Sequence, residues 1–286
     1  MTTVKRWQWF SVFNYSLFVL LGILMLYPFW YVLMYSFNDP IAPSSTGLNL
    51  YPRVFSLDTY KYVLNQKFLY VGFTNSIIVT VGGTLISMLL TIGCAYPLSK
   101  AQLKGRRLFF SVIFFTMLFS GGLIPTYILV SKLNMVNTLW ALMVPGAVVV
   151  YFLIIMIKFF KGIPEELIES AKIDGANDMY ILFRIALPLS KAVLAAVGLM
   201  YAVMRWNEYL PGIIYINDSK KYVLQVILNG MLNEETLASS GGASSITSPE
   251  SVKMAAVILT ILPIVMIYPF LQKYFVKGML IGAVKG

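Results

Sequence analysis

The stretch Glu165–Pro188, EELIESAKIDGANDMYILFRIALP, is a mixed polar and charged segment set between two apolar runs, and its reading decides the rest. It carries its own helix punctuation. Pro164 suits a first helical position, and Glu165 and Glu166 follow where the helix dipole favours negative charge. Gly175 is a natural C-terminal stop, and Asn177 can cap a second helix running to Pro188. The pattern predicts a short helix, a glycine corner and a second short helix. Leu167, Ile168 and Ala171 fall at helical spacing on the first, and nothing in the segment covers them. An apolar stripe flanked by Glu169 and Asp174 is expected to dock into a groove of another protein. The plainer alternative is a solvated amphipathic loop that joins two helices.

The flanks of this stretch fix the class. Of 286 residues, 58% are hydrophobic and 12% charged, against about 25% charged in soluble domains. The chain reads as all-α, a polytopic membrane protein with six transmembrane helices. The expected spans are 12–37, 71–98, 108–130, 139–160, 191–214 and 254–276. Residues 1–11 form a short N-terminal tail. The apolar run after it is too long for a signal-peptide core and lacks a small-residue cleavage site. Leu57–Leu64 has the pattern of a short surface helix, and Ser120-Gly121-Gly122 with Pro125 predicts a break in span three. The loop 161–190 holds the opening stretch. A polar segment, 215–253, separates spans five and six and includes the Ser/Gly-rich run 239–248. Residues 277–286 form a basic tail.

Charge gives the orientation. With the N-terminus inside, inner segments hold 14 Lys and Arg and outer segments 7, although the outer ones are longer in total. The positive-inside rule then places both termini and the loop 161–190 in the cytoplasm. The net charge of +10 is spread through loops rather than gathered on one surface, so no nucleic-acid partner is expected. The chain has no histidine, which removes Ser-His-Asp hydrolysis and the zinc-protease motif. No catalytic residue and no metal site is expected. The phosphate-cradling pattern GxxxxGK[ST] is missing as well, so ATP-driven work would need a separate motor. Cys94 is expected to serve packing within span two.

A second group stands out in span five: Arg205, Trp206, Asn207, Glu208 and Tyr209. Charges within a span are costly and usually face a bundle interior or an aqueous cavity. Aromatic faces with amide and carboxylate groups suit a sugar pathway. Equally, Arg205 and Glu208, three apart on a helix, can simply pair with each other. Both readings stay open.

Glu169-Ser-Ala171, three residues, Gly175, nine residues, then Ile185-Ala-Leu187-Pro188 closely resembles the EAA loop of ABC-importer permeases, with Ser170 as the single departure. Trp206–Tyr209 is similar to a segment found at this place in carbohydrate importers of the maltose type. The resemblance covers essentially the whole chain and implies a type I ABC-importer permease fold. It implies that Glu169, Ser170, Ala171, Asp174, Gly175, Ile185, Leu187 and Pro188 couple to an ATPase, and that residues 205–209 belong to the translocation pathway. It also implies partners: a second permease, an ATPase dimer, an extracytoplasmic solute-binding protein, an oligosaccharide substrate and membrane lipid. The chain itself would hold no cofactor, ATP and Mg being bound by the ATPase. Its place would be a bacterial or archaeal cytoplasmic (inner) membrane. The rival classes are an ion-coupled secondary transporter, which would need an internal repeat and buried titratable groups, and a membrane assembly factor. No repeat is visible, and Glu208 is the acid within a span.

Overall fold

Hydrocarbon offers no partner to a backbone N–H or C=O, and a chain that crosses it is driven into helix. The computed structural model describes residues 3–39, 50–232 and 250–283. Among these no strand occurs, only an isolated antiparallel bridge between Asn38 and Phe55. The long helices are α1 (Thr3–Ser36), α3 (Lys67–Ser99) and α14 (Glu250–Ala283). Between them lie α2 (Asp58–Leu64), α4 (Arg106–Leu118), α5 (Leu123–Lys132), α6 (Trp140–Met143), α7 (Val150–Lys161), α8 (Glu165–Ile173), α9 (Asp178–Ile181), α10 (Leu187–Leu189), α11 (Lys191–Trp206), α12 (Leu210–Tyr215) and α13 (Leu224–Leu232).

Trp9–Ser36, Lys67–Ser99 and Glu250–Ile267 are each long and apolar enough to cross a membrane. Two bent pairs meet the same test: α4 with α5, turning by 116°, and the helical run 178–189 with α11, turning by 83°. The first bend lies at residues 119–122, where the Ser-Gly-Gly run predicts it. The all-helical, six-crossing architecture is consistent with these elements.

Two expected spans are not single helices. Span four is α6 and α7 around a non-helical stretch, 144–149, in which Pro145 has no N–H to give and Gly146 adopts φ +66°. Span five divides into α11 and α12 at residues 207–209, just before Pro211 in the first turn of α12. The segment 215–253 is not wholly polar: α13 lies in it, and the run 239–248 falls outside the described residues. Cys94 is exposed on α3 rather than packed.

The chain divides into two bodies, Met1–Leu69 with Leu228–Leu262, and Tyr70–Ile227 with Pro263–Gly286. In the first, Ser36 Oγ lies 2.6 Å from Tyr60 Oη, and Thr59 Oγ1 donates to the Asn38 carbonyl at 2.7 Å. These bonds seat α2 under the end of α1, and Phe37 stacks on Phe55. Large side chains of α1 such as Trp9, Phe18, Met25 and Trp30 are exposed. Such a surface suits lipid or another membrane chain, not water.

The second body holds two apolar clusters. One gathers Ala95, Tyr96, Leu153, Phe160, Ile181, Ala186, Val193 and Tyr201. The other gathers Val79, Val130, Leu142, Met143, Tyr215, Ile216, Val223 and Val226. The segment before α13 is fixed to α3 by polar groups. Asn75 Nδ2 donates to the carbonyls of Lys220 and Tyr222, each at 3.0 Å, and Ser76 Oγ accepts from the Leu224 N–H at 2.8 Å.

Candidate functional site

The corner at Gly175 is built from local signals. The Gly175 N–H donates to the Lys172 carbonyl at 3.0 Å and the Ala176 N–H to the Ala171 carbonyl at 2.9 Å. This is the pair of bonds that closes a helix on a left-handed residue, and Gly175 has φ +83°. No atom lies within 4 Å of where its Cβ would stand, so conformation and not space requires glycine. Asn177 then caps the second helix, its Oδ1 accepting from the Tyr180 N–H at 2.8 Å. Helix α8 begins at Glu165, with Pro164 one position outside it.

The second helical run passes through a π turn, Leu182–Ala186, in which the Leu187 N–H reaches back to the Leu182 carbonyl. A wider turn directly before Pro188 eases the clash that a proline ring makes with the carbonyl four residues earlier.

Between the two helices lies an open groove of about 870 Å³. Ser170, Ala171, Asp174, Gly175, Ile185 and Pro188 line it together with Leu167, Asn177, Tyr180 and Arg184. Glu169 is exposed but does not line the groove, and Leu187 packs against the inner cluster. The apolar stripe of α8 needs correction. Ile168 and Ala171 are half-buried, because they pack against the cluster around Tyr96, Phe160 and Ile181. Of the three stripe residues, Leu167 is the one that stays exposed, at 44%. Tyr180 and Arg184 were missed at the sequence level, although Asn177, Tyr180, Arg184 and Pro188 recur at three- and four-residue steps, which puts them on one helical face.

The cluster in span five is arranged differently. Arg205 is 3% exposed. Its Nη1 donates to the Leu142 carbonyl at 2.7 Å and to Glu208 Oε1 at 3.1 Å, and its Nη2 donates to the Met143 carbonyl at 3.0 Å. Those carbonyls end α6, where the broken span leaves acceptors without intrahelical donors. One turn back on α11, Tyr201 Oη lies 2.7 Å from Thr91 Oγ1 and accepts from the Val149 N–H at 3.1 Å, at the start of α7. Arg205 and Tyr201 thus satisfy the two sides of one break. Gly83 makes room for this, since a Cβ there would stand 3.2 Å from Arg205 Cδ.

The other members of the cluster scatter. Trp206 is buried and meets Phe73 edge to face at 5.7 Å. Asn207 is exposed and accepts from Gln225 Nε2 at 3.3 Å, while Glu208 and Tyr209 are half-buried. The five do not converge on one open surface.

The structure also singles out Lys100, directly after α3. Its Nζ lies 4.6 Å above the centre of the Tyr96 ring, covered by protein and without a hydrogen-bond partner. Burial holds this amine below the usual lysine range. Asp178 pulls it back up, Lys172 pushes it further down, and Glu165 pulls it up again.

Comparison with known proteins follows the same lines. Residues 5–281 match the family described as binding-protein-dependent transport system inner membrane component. The chain is 40% identical to Protein LplC of Bacillus subtilis (strain 168) over 289 residues, covering 100% of this chain and 98% of that protein. It is also 40% identical to the polygalacturonan/rhamnogalacturonan transport system permease protein YtcP of the same organism, over 97% of this chain and 98% of that one. Among solved structures, a bacterial ABC transporter involved in the import of the acidic polysaccharide alginate matches with a TM-score of 0.86 and 31% identity. That match covers 96% of this chain and 99% of the other.

Proposed function

The chain belongs to the family of binding-protein-dependent transport system inner membrane components, and from that premise we propose that it takes its drive from a separate ATPase through the loop 161–190. It is a permease component of a sugar importer of the inner membrane. In the proposed assembly it forms half of the translocation pathway beside a second permease. A solute-binding protein delivers an oligosaccharide from outside, and ATP and Mg stay with the ATPase dimer. Both termini and the loop face the cytoplasm, in line with the charge distribution.

The observation that carries the coupling role is the groove. Six of the eight proposed coupling residues line one open surface, set by a glycine corner and an asparagine cap whose bonds are complete. A loop that merely joined two helices would have no need of such a surface. The groove mixes apolar walls (Leu167, Ile185, Pro188) with Asp174 and Arg184, which suits a partner helix carrying both kinds of residue. Glu169, exposed beside it, is placed to meet a basic residue at the rim.

The test is reconstitution. The purified chain alone hydrolyses no ATP above background. With the second permease and the ATPase it supports hydrolysis that rises when loaded binding protein is added. Hydrolysis by this polypeptide free of its partners contradicts the proposal. Orientation has its own check: a cysteine at Ser99 is shielded from an impermeant thiol reagent in intact cells and one at Ser244, outside the described residues, is labelled.

A carboxylate-bearing cargo is favoured over a neutral one. Alginate is named as acidic in the structural relative, and polygalacturonan is by name a polymer of a uronic acid. Arg205 is not the residue that reads such a charge, since its terminal nitrogens are engaged within the chain. Loaded binding protein carrying a uronate oligosaccharide stimulates hydrolysis, and the same protein offered a neutral oligosaccharide of equal length does not.

A further inference from the structure

Residues 50–57, LYPRVFSL, form no helix, yet they are fixed along the end of α1. The Ser56 N–H donates to the Phe37 carbonyl at 2.8 Å, and the Asp39 N–H donates to the Val54 carbonyl at 3.1 Å. The Arg53 N–H donates to Asn38 Oδ1 at 2.8 Å. These three bonds hold residues 53–56 level with the helix end. The other end of this strap lies further back along α1, where Trp30 Nε1 donates to the Leu50 carbonyl at 2.8 Å.

That bond sets the depth. At 1.5 Å per residue, Trp30 lies about 9 Å short of the helix end at Ser36. The span Trp9–Ser36 has 28 residues. Its length, about 42 Å, matches a bilayer with its headgroups rather than the hydrocarbon alone, which is about 30 Å thick. In such a bilayer Trp30 falls near the boundary between headgroups and hydrocarbon, the level that tryptophan favours. Leu50 stands at that boundary with it, and residues 53–56 stand among the headgroups. Irregular backbone is kept out of hydrocarbon because its polar groups go unmet there. At the deepest point of the strap the carbonyl is met by the indole.

The side chains suit this place. Leu50, Tyr51, Val54, Phe55 and Leu57 are each 50% exposed or more, too apolar a row for water. Arg53 is exposed among them, its backbone pinned at headgroup level.

We infer that residues 50–57 are a lipid-binding strap: the apolar side chains enter the edge of the acyl region, and the Arg53 guanidinium takes a lipid phosphate. A planar guanidinium donates two parallel bonds to a phosphate, and the headgroups supply a layer of them. The strap anchors the end of α1 at one depth in the membrane. This contact stands whether or not the loop 161–190 couples to an ATPase.

The experiment uses the full complex with its partner subunits, in nanodiscs of phosphatidylethanolamine and phosphatidylglycerol in equal parts. Tyr51→Cys, Val54→Cys and Leu57→Cys each carry a nitroxide, in a Cys94→Ala background that removes the native thiol. Collisions with oxygen, which concentrates in acyl chains, exceed those with a water-soluble nickel chelate at all three positions. More collisions with the chelate than with oxygen mean that the strap stands in water. Few collisions with either mean that the second permease or the binding protein covers it. Either result overturns the inference.

A second measurement needs no label. In detergent, added phosphatidylglycerol raises the unfolding temperature of the complex, and Arg53→Gln needs about fivefold more of that lipid for the same rise. An unchanged lipid requirement in Arg53→Gln overturns the inference. So does an equal rise in the unmodified complex when inorganic phosphate replaces the lipid.

Discussion

Helix is interrupted at residues 174–177 and again at 144–149, and the two interruptions are repaired in opposite ways. At the first, every repair is local: Gly175 and Ala176 bond back into α8, and Asn177 bonds forward into α9. The surface between the two helices is left open. At the second, the repair comes from about 60 residues away. Arg205 satisfies the carbonyls of Leu142 and Met143, and Tyr201 satisfies the Val149 N–H. A corner that keeps its shape by itself can present a groove to another protein. A break whose backbone groups are held by a neighbouring helix is committed to the bundle. Polar residues within a span are therefore not by themselves a sign of a solute pathway: Arg205 is tied to backbone and to Glu208.

Substitutions at the two interruptions should separate them. The largest effect is expected at the second. Arg205→Leu uncovers two buried carbonyls and leaves the Glu208 carboxylate without its partner, which costs about 3–5 kcal/mol. Thermal unfolding in detergent should show it, with transport falling in step with the amount of folded protein. Transport lost at normal stability would favour the pathway reading of Arg205 over the structural one.

Tyr201→Phe removes the hydroxyl shared by Thr91 and Val149 and leaves the buried Thr91 hydroxyl and the part-buried Val149 N–H unmet, at about 1–3 kcal/mol. The same unfolding measurement applies. A silent Tyr201→Phe would mean that the break is held by packing alone.

At the corner the effects are smaller, because they touch one turn. Gly175→Val forces a β-branched residue to φ +83°, costing about 1–2 kcal/mol of backbone conformation with no steric contact. The chain still inserts in the membrane, and the damage should appear as faster proteolysis or amide exchange in residues 165–188. Asn177→Ala removes a single cap, about 1 kcal/mol, and Asn177→Asp restores it. Exchange of the Tyr180 amide reads both. Global unfolding caused by either corner variant would erase the contrast between the two sites.

The same contrast explains what the sequence disclosed. The first helix, the corner at Gly175 and the cap at Asn177 were legible because each signal acts within four residues, whereas the groove residues Tyr180 and Arg184 were not. The breaks in spans four and five were not, although Pro145, Gly146 and Pro211 lay in view. Apolar runs around a proline read equally as a kinked helix, and the decision rests on Arg205 and Tyr201, whose contacts no local pattern contains. The inward turn of Ile168 and Ala171 was hidden for the same reason. Their covering residues, Tyr96 and Phe160, come from α3 and α7. Helix α13 was hidden inside a segment judged on its polar ends, though the run Val223–Leu228 is mostly apolar.

The central claim is that the open corner is where an ATPase docks, and Glu169→Lys tests it most directly. The side chain is exposed, lies outside every span, and stands beside a groove whose walls it does not form. Insertion and pairing with the second permease should be normal. Reversing the charge at a partly buried interface costs about 2–5 kcal/mol of binding. The measurement is the amount of ATPase that co-purifies with the tagged chain, read beside hydrolysis stimulated by loaded binding protein. The account predicts that the ATPase is lost from Glu169→Lys, or is retained without stimulation. Normal co-purification together with normal stimulation would contradict it and leave the loop a connector between two helices.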